Sequence, residues 1–82
     1  MDYDKLQALL DKLIIENPDD WKAFVDNMIS AQNTDNKFLS GLDEALADHD
    51  WLIEPLDNGV NFVINEGDKE LVAGRNFEGG IL

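Results

Sequence analysis

The chain's one histidine lies in the stretch Asp48-His49-Asp50-Trp51, between two carboxylates and beside an indole. Imidazole next to carboxylate is the pairing of general acid–base catalysis, and the same residue types serve as ligands of transition metals. Either chemistry needs the groups to converge on one point. Neighbours along a helix project about 100° apart, so these three side chains do not converge within a helical segment. A zinc or copper site also calls for more imidazoles or for thiolates, and the chain has a single histidine and no cysteine. His49 instead extends the apolar stripe Phe38, Leu39, Leu42, Ala45, Leu46, and reads as a histidine packed at a helix C-terminus.

Other chemistries fare no better. The only serines are Ser30 and Ser40, both in helical stretches with no base beside them, so nucleophilic catalysis lacks its pair. A calcium loop of the EF-hand type starting at Asn33 would place Lys37 and Phe38 where an oxygen ligand and a glycine are required. Starting at Asp57, it would place Gly59 at a ligand position. No Gly-rich phosphate loop or dinucleotide fingerprint is present. The expectation is a protein with no catalytic residue, no metal and no cofactor: not an enzyme.

The charge distribution does rise above background. Eighteen acidic residues face six basic ones, a formal net charge of −12 over 82 residues. Solubility alone asks for a magnitude of only about 2–8 in a small domain. Between Phe38 and Asp68 there is no Lys or Arg, whereas Asp43, Glu44, Asp48, Asp50, Glu54, Asp57, Glu66 and Asp68 all fall there. Such a field repels nucleic acid and anionic membrane and attracts basic protein surfaces.

The elements that would carry these charges follow from periodicity. Tyr3, Leu6, Leu9, Leu10, Leu13 and Ile14 recur at helical spacing, predicting a helix over about 2–16, with Lys5, Asp11, Lys12 and Glu16 on its other side. Asn17-Pro18-Asp19-Asp20 is a helix-start signal, with Asn17 as cap, and predicts a second helix over about 18–32 with Trp21, Phe24, Val25, Met28 and Ile29 as its stripe. A third is expected over about 35–49, weakened by Gly41, with Ser40 and Asp43 marking an alternative later start. From Trp51 the period changes to alternation. Strands are expected over about 51–56, 60–65 and 70–77, joined by an Asn58-Gly59 turn of type I′ and a turn at Gly67-Asp68. The two turns pair Ile53 with Ile64 and Ile64 with Leu71, and the strand bearing Leu71, Ala73 and Arg75 closes a sheet with one apolar face. Glu78-Gly79-Gly80 reads as a flexible exit. The fold class is α+β: one small domain over residues 1–82, with three N-terminal helices packed on one face of a C-terminal three-stranded antiparallel β-meander.

No thiol framework, basic-then-apolar leader or long apolar run is seen, so a cytoplasmic protein is expected. The expected partner is a basic protein surface, one that itself binds nucleic acid or belongs to a nuclease, with no direct contact to nucleic acid or membrane. The candidate contact residues are the eight acids named above together with Trp51, with Leu52 and Leu56 as apolar anchors. In general character (short, acidic, without cysteine or motif) the chain resembles phage and mobile-element inhibitors of CRISPR or restriction systems. No family motif is matched, so no residue roles are transferred. Two alternatives share the physics in part: an immunity-type protein that neutralises a basic toxin nuclease, and a module that assembles through a strand edge, the third strand permitting a homodimer.

Overall fold

The computed structural model describes residues 2–26 and 36–82. Their order is α1 (Tyr3–Glu16), α2 (Pro18–Asp26), α3 (Lys37–Ala45), β1 (Asp50–Leu56), β2 (Gly59–Glu66) and β3 (Lys69–Asn76). The protein is α+β, with helices in the N-terminal half and an antiparallel sheet of order β1-β2-β3 in the C-terminal half. Met28, Ile29, Ser30, Asn33 and the segment expected to end the second helix lie outside the described residues. Among the described residues no helix is long and apolar enough to cross a membrane.

Each helix start has a physical cause. The Asp2 carboxylate accepts from the Lys5 amide at 2.8 Å, satisfying one of the first-turn donors of α1. Pro18 opens α2, where its missing N–H costs nothing, and Asp19 and Asp20 face the positive end of the dipole. Asn17, expected to cap α2, serves the end of α1 with its side chain: its amide donates to the Leu13 carbonyl at 3.1 Å. Asn36 caps α3 by accepting from Leu39 N–H at 3.0 Å, which settles the start that the sequence left open between two positions. The Asn36 side chain also donates to the Asp20 carbonyl, and the Asp20 carboxylate accepts from Lys37 N–H, so the beginnings of α2 and α3 are tied together. Gly41, a weak helix former, allows close helix packing: a Cβ there would stand 2.7 Å from Leu13 Cδ2 of α1.

The end of α3 corrects the expected range. The helix stops at Ala45 with Leu46 as its C-cap, and residues 46–48 form a turn. His49 therefore does not lie on the helical face; it sits beyond the turn, its amide donating to the Leu46 carbonyl.

One core cluster joins helices and strands: Leu6, Leu10 and Leu13 of α1, Trp21 and Phe24 of α2, Phe38 and Leu42 of α3, Leu46, and Val60, Phe62, Ile64 and Ala73 of the sheet. Four rings lie at its centre. Trp21, Phe24, Phe38 and Phe62 all approach one another, with centroids 5.0 to 6.4 Å apart. They come from two helices and the central strand. Tilted and edge-on ring pairs of this kind contribute about 0.5–1.5 kcal/mol each beyond their buried area.

Arg75, on the apolar register of β3, is 2% exposed. Its guanidinium donates to Asp11 Oδ1 at 2.5 Å, to the Gln7 carbonyl at 3.2 Å, to the Gln7 side-chain oxygen, and to the Gly79 carbonyl at 3.1 Å. Asp11, assigned by periodicity to the solvent side of α1, thus turns one oxygen inward. The chain beyond β3 is held in place where a flexible exit was expected. Asn76 Oδ1 accepts from Glu78 and Gly80 N–H, Asn76 N–H donates to Gly80 O, and Trp21 Nε1 donates to Phe77 O. Ile81 then bridges back to Arg75, and Leu82 N–H donates to Gly74 O.

The first hairpin differs from its expected register by two residues. The pairs are Leu56 with Gly59, Ile53 with Phe62 and Trp51 with Ile64, so the loop is Asp57-Asn58. Among the described residues no non-glycine residue has a positive φ, and Gly59 has none either, so the turn is not the I′ type that Asn-Gly suggests. Gly59 is needed for another reason: a Cβ there would lie 2.1 Å from the Arg75 carbonyl on β3. Gly67 does have φ +66° at the second turn, with open space around it. The second hairpin pairs Ile64 with Leu71 and Phe62 with Ala73, as expected.

Gly59→Ala should therefore destabilise the fold by about 3 kcal/mol through a backbone clash, against about 1 kcal/mol for Gly67→Ala from its positive φ alone. Urea denaturation of the two variants measures the difference. Equal losses would mean that turn conformation and not strand approach selects glycine at position 59. Arg75→Ala should cost about 3 kcal/mol on the same measurement, because it strands the Gln7 side chain and opens a cavity.

Candidate functional site

The nine candidate residues spread over α3, the α3–β1 turn and the sheet. Asp43 and Glu44 are exposed on the last turn of α3, and Asp48 is exposed in the following turn. Asp50 begins β1 opposite Asn65, and Asn65 is in turn opposite Glu70 of β3. Glu66 ends β2, and Asp68 is exposed in the second hairpin turn. These groups share the Gly67 end of the sheet. Trp51 Nε1 donates to Asp43 Oδ1 at 3.3 Å and so anchors the α3 acids beside β1. Asp57 lies at the opposite end, at least about 20 Å along β1 from Asp50 at 3.3 Å per residue. The structure thus brings Asp43 and Asp50 to one end of the sheet and leaves Asp57 apart.

His49 belongs to this end as well. Its Nε2 stands 3.6 Å from Glu66 Oε1, a contact that becomes an ion pair when the imidazole is protonated. Trp51 is half-buried and packs against the core cluster, its register partner being Ile64. The exposed apolar residue here is its neighbour Leu52.

Alternation along the strands separates two sets of side chains. Trp51, Ile53, Val60, Phe62, Ile64, Leu71 and Ala73 are in the core or packed against it. The intervening positions hold Asp50, Leu52 and Glu54 on β1, Asn61, Val63 and Asn65 on β2, and Glu70, Val72 and Gly74 on β3. Leu52, Val63 and Val72 are in direct register across the three strands. Leu52 is 50% exposed and Val72 43%, while Val63 between them is 6% exposed and stands outside the core cluster. An apolar row therefore crosses the sheet. Asp50, Asn65 and Glu70 form the polar row on one side of it. Glu54 and Asn61, joined by a 3.2 Å hydrogen bond, begin the row on the other, and Leu82 packs beside Gly74 at its end. Val72 and Glu70 were not among the candidate residues. Their strand parity was readable, but nothing in composition marked them for contact.

None of the six basic residues occupies these intervening positions: Lys5, Lys12, Lys22 and Lys37 are helical, and Lys69 and Arg75 have the opposite parity on β3. Among the described residues no group of three or more His, Asp or Glu side chains could hold a metal ion.

The combined variant Asp43→Asn, Glu44→Gln, Asp48→Asn, Asp50→Asn should fold and gain about 0.5–1 kcal/mol at low ionic strength, by relief of like-charge repulsion, with the gain fading towards about 1 M salt. Thermal denaturation at two salt concentrations checks this. A loss of stability would show that these carboxylates hold the fold together.

Comparison of the chain with protein-family models, with curated proteins and with solved structures finds no match to any of the three.

Proposed function

We propose that the chain is a small acidic inhibitor, not an enzyme, that binds a cationic protein surface built to grip nucleic acid. Its carboxylates stand where phosphates would, engaging Lys and Arg side chains of the partner. One observation carries this reading: the stretch from Phe38 to Asp68, which contributes most of α3 and all of β1 and β2, holds no Lys or Arg, and the only arginine of the chain is buried against α1. In this reading the three helices cover one face of the sheet. The acids of the α3–β1 turn and of the opposite face then form an anionic surface of Asp43, Glu44, Asp48 and Asp50, with Glu54 beyond the Leu52 row. Glu66 and Asp68 extend it at the second turn, and Asp57 marks its far end. Attraction over such a surface speeds encounter more than it strengthens the final complex, so binding should be fast and salt-sensitive.

The size, charge and absence of cysteine are the general character of phage and mobile-element inhibitors of CRISPR or restriction systems, and a cytoplasmic setting suits that role. A toxin nuclease as partner would make the chain an immunity-type protein using the same surface. A homodimer through β3 has less support, because the return of Ile81 and Leu82 covers the edge of that strand near Gly74 and Arg75.

A pull-down from host lysate at low and at high salt tests the proposal. The wild-type chain should capture a nucleic-acid-binding protein at low salt, free of its DNA or RNA, and release it at high salt. The four-acid variant should capture at least about tenfold less. Equal capture by that variant would refute the acidic-surface reading.

A further inference from the structure

We infer that the sheet row Leu52–Val63–Val72 is a docking surface for an amphipathic α-helix whose apolar stripe is edged on both sides by Lys or Arg. The inference rests on the reading of the chain as a binder of cationic protein and names the shape of the element it takes.

The dimensions select a helix. Neighbouring strands lie about 4.8 Å apart, so the row spans about 10 Å from Leu52 to Val72. Alternate residues on a strand are about 6.6 Å apart, which sets Asp50 and Glu54 about 13 Å from each other with Leu52 midway. A helix with its side chains is about 10–12 Å across. Laid along the row, it covers Leu52, Val63 and Val72 with its apolar stripe. One flank then meets Asp50 and Glu70, and the other meets Glu54. A second sheet would bury both polar rows as well, leaving their carboxylates without water or partner. An added strand would pair at an edge and leave the face open.

Charge selects the flanks. The face carries three carboxylates and no base, so a second copy of this chain would set Asp50, Glu54 and Glu70 against like charges. An anionic membrane or a nucleic acid meets the same repulsion. A partner helix with cationic edges meets none. The exposure of Leu52 and Val72 beside the buried Val63 supplies the apolar half of the contact. Hot spots of this kind lie at the centre of an interface, ringed by polar groups.

The test uses the full chain, isotope-labelled, and a synthetic peptide of roughly 18 residues, five helical turns, with Leu on one face and Lys on both flanks. Amide shifts should centre on Leu52, Glu54, Val63, Glu70 and Val72, and the peptide should become helical on binding. Leu52→Lys and Val72→Lys should each weaken binding at least about tenfold. Val72→Thr, close in volume and still β-branched, should weaken it in the same direction and stands in should a Lys variant fail to fold. Shifts centred on Asp43, Glu44 and Asp48 would overturn the inference. So would equal binding of a scrambled peptide of the same composition. In the lysate experiment, capture that survives Leu52→Lys but is lost in the four-acid variant refutes the docking row and leaves the inhibitor reading intact. Failure of the wild-type chain to capture any nucleic-acid-binding protein refutes the inhibitor reading itself.

Discussion

A guanidinium taken out of water costs several kcal/mol unless its protons are met by acceptors, and Arg75 meets most of that condition by drawing on α1 and on the turn after β3, with Nε–H alone left without an acceptor. Gln7 and Asp11 stand one helical turn apart on α1, so both reach the same point on β3. The Gly79 carbonyl closes the group from the C-terminal side, which places the turn after β3 against α1. Below, the Arg75 carbonyl lies so close to β2 that only glycine fits at position 59, whose register partner is Asn76. One buried charge thereby sets the seat of α1 on the sheet and the path of the residues after β3, while the backbone of the same residue restricts position 59. The aromatic cluster of Trp21, Phe24, Phe38 and Phe62 does the complementary work for α2 and α3, without direction but with more buried area.

Burying Arg75 also shapes the exterior. The five lysines are left to moderate the outward field, and four of them belong to the helices. The strand positions outside the core and the α3–β1 turn present carboxylates, amides, aliphatic groups and the single imidazole of His49, with no Lys or Arg. An apolar row bordered by like charges is poorly suited to self-association, which gives these exposed strand positions some protection against aggregation.

Much of this was legible in the residues. The starts of α1 and α2, the change from helical to alternating period at Trp51, and the parity of every strand follow from spacing alone. What escaped has physical reasons. A two-residue slip in the first hairpin leaves every side chain on the same face, so alternation cannot detect it; Asn58-Gly59 suggested a turn chosen by conformation when Gly59 is chosen by proximity. The apolar stripe of α3 runs on to His49, but the helix ends at Ala45 and the chain turns before the histidine. Arg75 stood on the apolar register among Leu71 and Ala73, a sign of burial, yet its acceptors on α1 lie 64 and 68 residues away in a helix that spacing alone cannot aim. Of the candidate site, the acidic stretch was plain to read, whereas its division between the two ends of the sheet required the strands to be laid side by side.

The span of the Arg75 contacts bears on how the protein comes to be made. During synthesis α1 emerges before β3, and the side chain that secures it follows 64 positions after Asp11, while the carbonyl that completes the group belongs to Gly79. A nascent chain thus lacks the polar contacts that fix α1 on the sheet until β3 has left the ribosome. Closing so long a loop carries an entropic cost that only the finished core offsets. Order in α1 and in the turn after β3 should therefore be completed together, by the same side chain.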